Sequence, residues 1–157
     1  MNPSDSSKDT LNVGDIEIKM SPYMLEMVEV ERQMGSLYYY IGGMNYVISE
    51  EHFNIAANCM GEVMALGYSY KNEVEYAQVL MEYGTVLVKL MELNTVPNSV
   101  ISPAEADAAS VIRNAVDVYR KNLDYPNEES VKQYRDSLQL FGEACYLSLL
   151  LRVQEES

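Results

Sequence analysis

Between Asn72 and Leu93, the residues Val74, Ala77, Leu80, Met81, Gly84, Leu87, Val88 and Met91 recur at intervals of three and four. That spacing gathers all of them on one side of an α-helix. Such a stripe must be buried, and other helices bury it most simply. Ser21-Pro22 pairs an N-cap residue with a proline suited to the first helical position, predicting a helix from about Pro22 to Ser49. Gly35, Gly42 and Gly43 fall inside it, so it is either continuous or broken near Gly35. A second helix is expected from about Glu51 to Leu66, stopped by Gly67, and the third is the stripe itself. Residues 94–102, with Pro97, form a loop. Ser102-Pro103 followed by Glu105 repeats the start signal for a fourth helix that ends near Leu123. Asp124 to Asn127 is a turn, and a fifth helix runs from about Asn127 to Gln154 with Glu128 and Glu129 at the positive end of its dipole. Residues 1–21 are expected to be a flexible arm and 22–157 a single helical domain. The fold class is all-α.

Hydrophobic residues make up 48% of the chain, enough for a core rather than a disordered acidic polymer. Lysine and arginine total 11 against 24 aspartates and glutamates, a net charge of −13. That field repels nucleic acid and anionic lipid and attracts basic proteins. No run approaches the roughly 18 apolar residues of a membrane span. Direct nucleic-acid and membrane partners are therefore not expected. The opening residues lack a basic start followed by an apolar run, and Cys59 and Cys145 lie in apolar stretches outside any CxxC spacing. Both cysteines read as small buried hydrophobes in a reducing compartment. Catalysis has little to draw on. His52 is the only histidine, the Glu-x-x-His pattern of a two-metal bundle is absent, and no phosphate loop occurs. The reading is a non-enzyme without cofactor or metal.

Some self-similarity runs through the chain. Ala56, Met60 and Val63 share their spacing with Ala108, Ile112 and Ala115. Gly42-Gly43, Tyr83-Gly84 and Phe141-Gly142 are each followed three residues later by Tyr46, Leu87 and Cys145. A glycine on one helix facing small residues on the next lets the two pack closely, as in tetratricopeptide repeats. The glycines are unevenly spaced, so the repeats are irregular. The stretches Gly43 to Leu93, Ala108 to Asn122 and Gln133 to Ala144, with Leu140-Phe141-Gly142-Glu143, resemble the nuclear autoantigenic sperm protein family. These are tetratricopeptide histone chaperones with an interrupted repeat. Here residues 94–104, at the interruption, carry no charge.

The resemblance implies a tetratricopeptide-like array of antiparallel helical hairpins, about five helices after the arm, with the loop 94–102 interrupting the second repeat. It also implies a concave groove lined by Gln78, Met81, Thr85, Val88 and Lys89 on the third helix. From the fifth helix come Asp136, Gln139, Glu143, Tyr146 and Leu147. Glu143, directly after the glycine, is the carboxylate placed to grip a basic histone segment. The partner implied is histone three with histone four, in nucleus and cytoplasm.

Glu26, Glu29, Glu31, Glu50, Glu51 and Glu62, against Arg32 alone, form a further acidic stretch that is either a patch for a basic partner or a wet helix face. Of Tyr38, Tyr39 and Tyr40, at least one ring should face away from the core. The run Tyr146 to Leu151 is expected to lie bare unless a partner or a second copy covers it. Two other functions suit the pattern: a general tetratricopeptide adaptor, and a structural subunit of a helical complex.

Overall fold

The computed structural model describes the backbone of residues 3–66 and 70–156 and the side chains of 22–66 and 72–156. The glycine stop at Gly67 lies outside the residues so described, whereas the backbone from Pro3 onward, where the arm was expected, belongs to α1, so Pro22 sits inside that helix and does not open it. Five helices occur, α1 (Pro3–Ile41), α2 (Asn45–Ala65), α3 (Tyr70–Asn94), α4 (Ala108–Lys121) and α5 (Glu128–Glu156), with no strand among the described residues.

The break in the first apolar stretch comes at Gly42-Gly43 and not near Gly35. Both glycines have positive φ, 78° and 63°, a conformation in which a side chain is strained. The Asn45 side chain donates to the Gly42 carbonyl at 3.1 Å and fixes the turn. Gly35 has a different use. A Cβ there would stand 2.9 Å from the Phe53 ring, so its bare backbone is what lets α2 lie against α1. Ser49, fully buried, donates to the Gly35 carbonyl at 2.6 Å across the same contact.

Contacts between helices fix their directions. Gly35 meets Ser49, Glu31 meets His52 and Met27 meets Cys59, so α1 and α2 are antiparallel. Glu50 bonds Tyr83 while Tyr76 lies beside Gly61, which makes α2 and α3 antiparallel. Glu73 pairs with Lys121 and Gly84 meets Ile112, so α4 runs against α3. Arg120 reaches Tyr134 while Arg113 and Asp117 share a cleft with Leu138 and Phe141, so α5 runs against α4. Thus α1, α3 and α5 point one way, and α2 and α4 return between them.

α3 sits at the centre and is buried on several sides, contributing Ala77, Val79, Leu80, Tyr83, Val86, Leu87, Val88 and Leu90 to the core. The similarly spaced triplets Ala56, Met60, Val63 and Ala108, Ile112, Ala115 are all buried, and all but Val63 belong to the same core as α3. A Cβ on Gly84 would fall 2.4 Å from Ile112 Cγ1 and 3.5 Å from Leu140, so this glycine admits α4 and α5 together.

The expected start of α4 at Ser102-Pro103 is not used. The helix begins at Ala108, with Asp107 extended and its carboxylate accepting from the Ser110 hydroxyl at 2.8 Å. Ala104 and Ala106 instead pack on the core and close, with Leu87, Leu90, Met91 and Leu151, around a pocket of about 180 Å³. Tertiary burial of these two alanines overrides the local capping signal. At α5 the local signal holds. The Asn127 side chain accepts from the backbone N–H groups of Glu129 and Ser130 at 3.1 and 3.3 Å.

Candidate partner-binding face

On α3, Glu75, Gln78, Glu82, Thr85 and Lys89 succeed one another at three- and four-residue steps and form a polar stripe along an otherwise buried helix. Gln78 is exposed and Met81, Thr85 and Lys89 are half-buried. Thr85 turns its hydroxyl back to the Met81 carbonyl at 2.7 Å. Lys89 pairs with Glu92 at 3.6 Å and lies over the Tyr46 ring. Val88 is a different case. At 3% exposed it is a core residue, so the groove position expected for it offers no surface.

On α5, Gln139, Glu143 and Tyr146 are exposed, Asp136 is half-buried, and Leu147 is in the core. Asp136 is already balanced by Lys132 at 3.4 Å and Arg135 at 3.9 Å. Glu143 has no ion-pair partner among the described residues. Because α3 and α5 run side by side with Leu140 against Gly84, the Gln78–Thr85 and Asp136–Glu143 stretches lie on neighbouring parallel helices. Gly142 does not serve close packing as expected of it. A Cβ there would meet nothing within 4 Å, because Gly142 faces water.

A cluster between α1 and α3 was not visible in the sequence. The Arg32 guanidinium donates to Glu82 through Nε at 2.8 Å and through a second nitrogen, and it lies 3.6 Å from Glu29 and 3.8 Å from Glu75. Burial works against the charge on Arg32, but the Glu82 bond and the three carboxylates outweigh it and raise its pKa. Three carboxylates around one cation leave negative charge in excess, on Glu75 and above all on the more exposed Glu29. The seven-residue step from Glu75 to Glu82 was the available hint. Its partner, 50 residues away from Glu82, was not deducible from local pattern.

The remaining groups are structural. His52 Nδ1 lies 2.6 Å from Glu31, and its ring stacks on Tyr38. Tyr40 is 88% exposed while Tyr38 and Tyr39 are half-buried, so one ring of the three faces away as expected. Cys145 is exposed and Cys59 half-buried, which corrects the reading of both as buried; each occupies the edge of its helix's apolar face. Among the described residues, no group of three or more His, Cys, Asp or Glu side chains could hold a metal, and no helix is long and apolar enough to cross a membrane.

In comparisons with known proteins, no family model matches the chain, and no curated protein and no solved structure matches it.

Proposed function

We propose that this chain is a non-catalytic binding protein that holds a basic protein partner on the face formed by α1, α3 and α5. The partner we propose is histone three with histone four, as the sequence resemblance implies, carried in nucleus and cytoplasm. The observation behind this reading is the excess of carboxylate over cation on that face. Residues 22–41 of α1 and 70–94 of α3 hold seven glutamates against one arginine and two lysines, and the arginine is already shared by three of the glutamates. A lysine or arginine from a partner reaching Glu29, Glu75 or Glu143 makes a charge-assisted hydrogen bond, worth about 1.5–3 kcal/mol. The mechanism is stoichiometric. Carboxylates offset histone charge and suppress premature contact with nucleic acid, with no chemical step.

Titration with the histone three/histone four pair and with the other core histone pair, each at two salt concentrations, tests the proposal. Selective binding of the first pair, lost in Glu143→Arg, supports it. Equal, weak binding of both pairs that disappears in salt refutes it.

A second reading is an adaptor or a structural subunit of a helical complex, including a homo-oligomer joined through α5. It is favoured by Tyr146 and Leu149, 65% and 59% exposed on the outer side of the last helix. Concentration-dependent association abolished by Leu149→Asp would select it.

A further inference from the structure

α1 carries a second apolar pattern, on a side that faces water. Tyr23, Met27, Val30, Met34, Leu37 and Ile41 follow one another at steps of four, three, four, three and four residues. These five steps alone average 3.6 residues, the period of any straight helix, whereas an alternation of three and four sustained to a mean of 3.5 is the seam of a supercoiled helix pair. In sequence the alternation extends back through Met20, Ile16 and Val13, and from Val13 to Ile41 its eight steps average 3.5 residues over four heptads. Other residues attach α1 to the fold. Val28 is buried, Leu25 and Tyr39 pack on the core, and Gly35 receives Phe53. Along the seam, Tyr23, Val30, Leu37 and Ile41 are each more than half exposed and Met27 nearly so.

Carboxylates border the seam on both sides. Glu26 and Glu29 follow one edge. At the other, Met27 touches Cys59 of α2, sulfur to sulfur at 3.9 Å. Burial, then the nearby charges of Glu62 and Glu31, push the Cys59 thiol pKa up, which places both acids beside that contact. From residue 22 to 66 the only lysine or arginine is Arg32, and it is held by Glu29, Glu75 and Glu82. A second copy of this chain meets acid with acid here. In a parallel pair, Glu26 before one seam residue faces Glu31 of the other copy, and between Tyr23 and Ile41 no flanking position supplies a cation.

We propose that this seam docks a basic amphipathic helix from a partner protein, one with a heptad apolar stripe and lysine or arginine on both sides of it. The inference shares with the proposed function only the preference for a basic partner. It concerns the outer side of α1, which adjoins that face at Glu29 but lies away from Glu143, and does not depend on the partner being a histone.

The test uses the full chain and three synthetic four-heptad peptides: leucine and isoleucine at the seam with lysine flanks, the same seam with glutamate flanks, and the lysine peptide with its seam positions scrambled. The first should bind, at least tenfold more tightly than the other two. The exposed pair Val30→Asp/Leu37→Asp, with an unchanged helical circular dichroism spectrum, should weaken it at least tenfold, whereas Glu143→Arg should not. Equal binding of the glutamate or scrambled peptide overturns the inference. So does self-association of the chain alone that Leu37→Asp abolishes, since the occupant is then a second copy. Peptide binding lost in Glu143→Arg but kept in the seam variant overturns it too, and leaves the proposed function standing. Seam-dependent peptide binding without any histone binding supports this inference and removes that function.

Discussion

Gly84 and Gly142 each follow an aromatic residue on a long helix, yet alanine at the two sites should shift stability in opposite directions. Alanine is favoured over glycine in a helix interior by about 1 kcal/mol. At Gly142 a Cβ meets nothing within 4 Å, so that preference should appear undiminished. At Gly84 the new carbon falls 2.4 Å from Ile112 Cγ1 and 3.1 Å from its Cδ1. Ile112 is fully buried and cannot swing aside, so α4 itself must move. Overpacking of this kind costs about 1–3 kcal/mol, which overtakes the helical gain at all but its lower limit. Gly142→Ala is therefore expected to be about 1 kcal/mol more stable than the parent and Gly84→Ala less stable by up to about 2 kcal/mol. For a chain of this size, each kcal/mol moves Tm by roughly 2–4 °C. Urea and thermal unfolding followed at the helical circular dichroism band measure both. In an Ile112→Ala background the cost of Gly84→Ala should vanish, because the atoms it strikes are gone. Stabilisation by Gly84→Ala in the parent, or a cost that persists without the isoleucine side chain, would refute the reasoning.

Gly43→Ala should cost about 1 kcal/mol although open space surrounds it, since only the left-handed backbone resists the substitution, and Gly43→Asn should cost less in the same unfolding assay. Arg32→Ala leaves Glu82 and Glu75 without their shared cation and should lower stability by about 1–3 kcal/mol, with partial recovery as acid neutralises them; a flat pH response in that variant contradicts the cluster. Burial, opposed by the bond from Tyr83 and reinforced by Glu51 and Glu105, raises the Glu50 pKa above the ordinary glutamate value. The folded state then holds the proton more tightly than the unfolded one, so this group's contribution is present at low pH and lost as pH rises through its folded pKa. Glu50→Gln is accordingly expected to raise Tm more at pH 7 than at pH 4, and an equal gain at both excludes it.

Features that depend on period and volume were legible in the sequence. The α3 stripe, the burial of Ala56, Met60 and Val63 and of Ala108, Ile112 and Ala115, and the start of α5 close to Asn127 all follow from residues a few positions apart. Helix ends chosen by distant packing were not. The six residues before α4 carry a proper start signal, but Ala104 and Ala106 gain more from covering the end of α3. Gly35 looked like a break because glycine weakens a helix, whereas here Phe53 needs the room. On the candidate face, Gln78, Gln139, Glu143 and Tyr146 are exposed, while Val88 shows that a helix packed on several sides hides residues a one-sided stripe would present. The Arg32 cluster was illegible because its members come from helices joined only through α2 and lie far apart in sequence.

Each helix packs mainly on the next one along the chain, and this has a consequence for how the molecule comes apart. Contacts made close in sequence form quickly and favour stepwise assembly, hairpin after hairpin. The core around Gly84, Ile112 and Leu140 belongs to α3, α4 and α5 and does not need α1. The bond between Arg32 and Glu82 spans directly from α1 to α3 and so acts as a clasp on the first hairpin. Opening that clasp lowers the free energy of a partial unfolding in which α1 peels away first. In hydrogen exchange, Arg32→Ala should therefore speed amide exchange in α1 well before α3 and α4 lose protection, making α1 the first unit of the molecule to open.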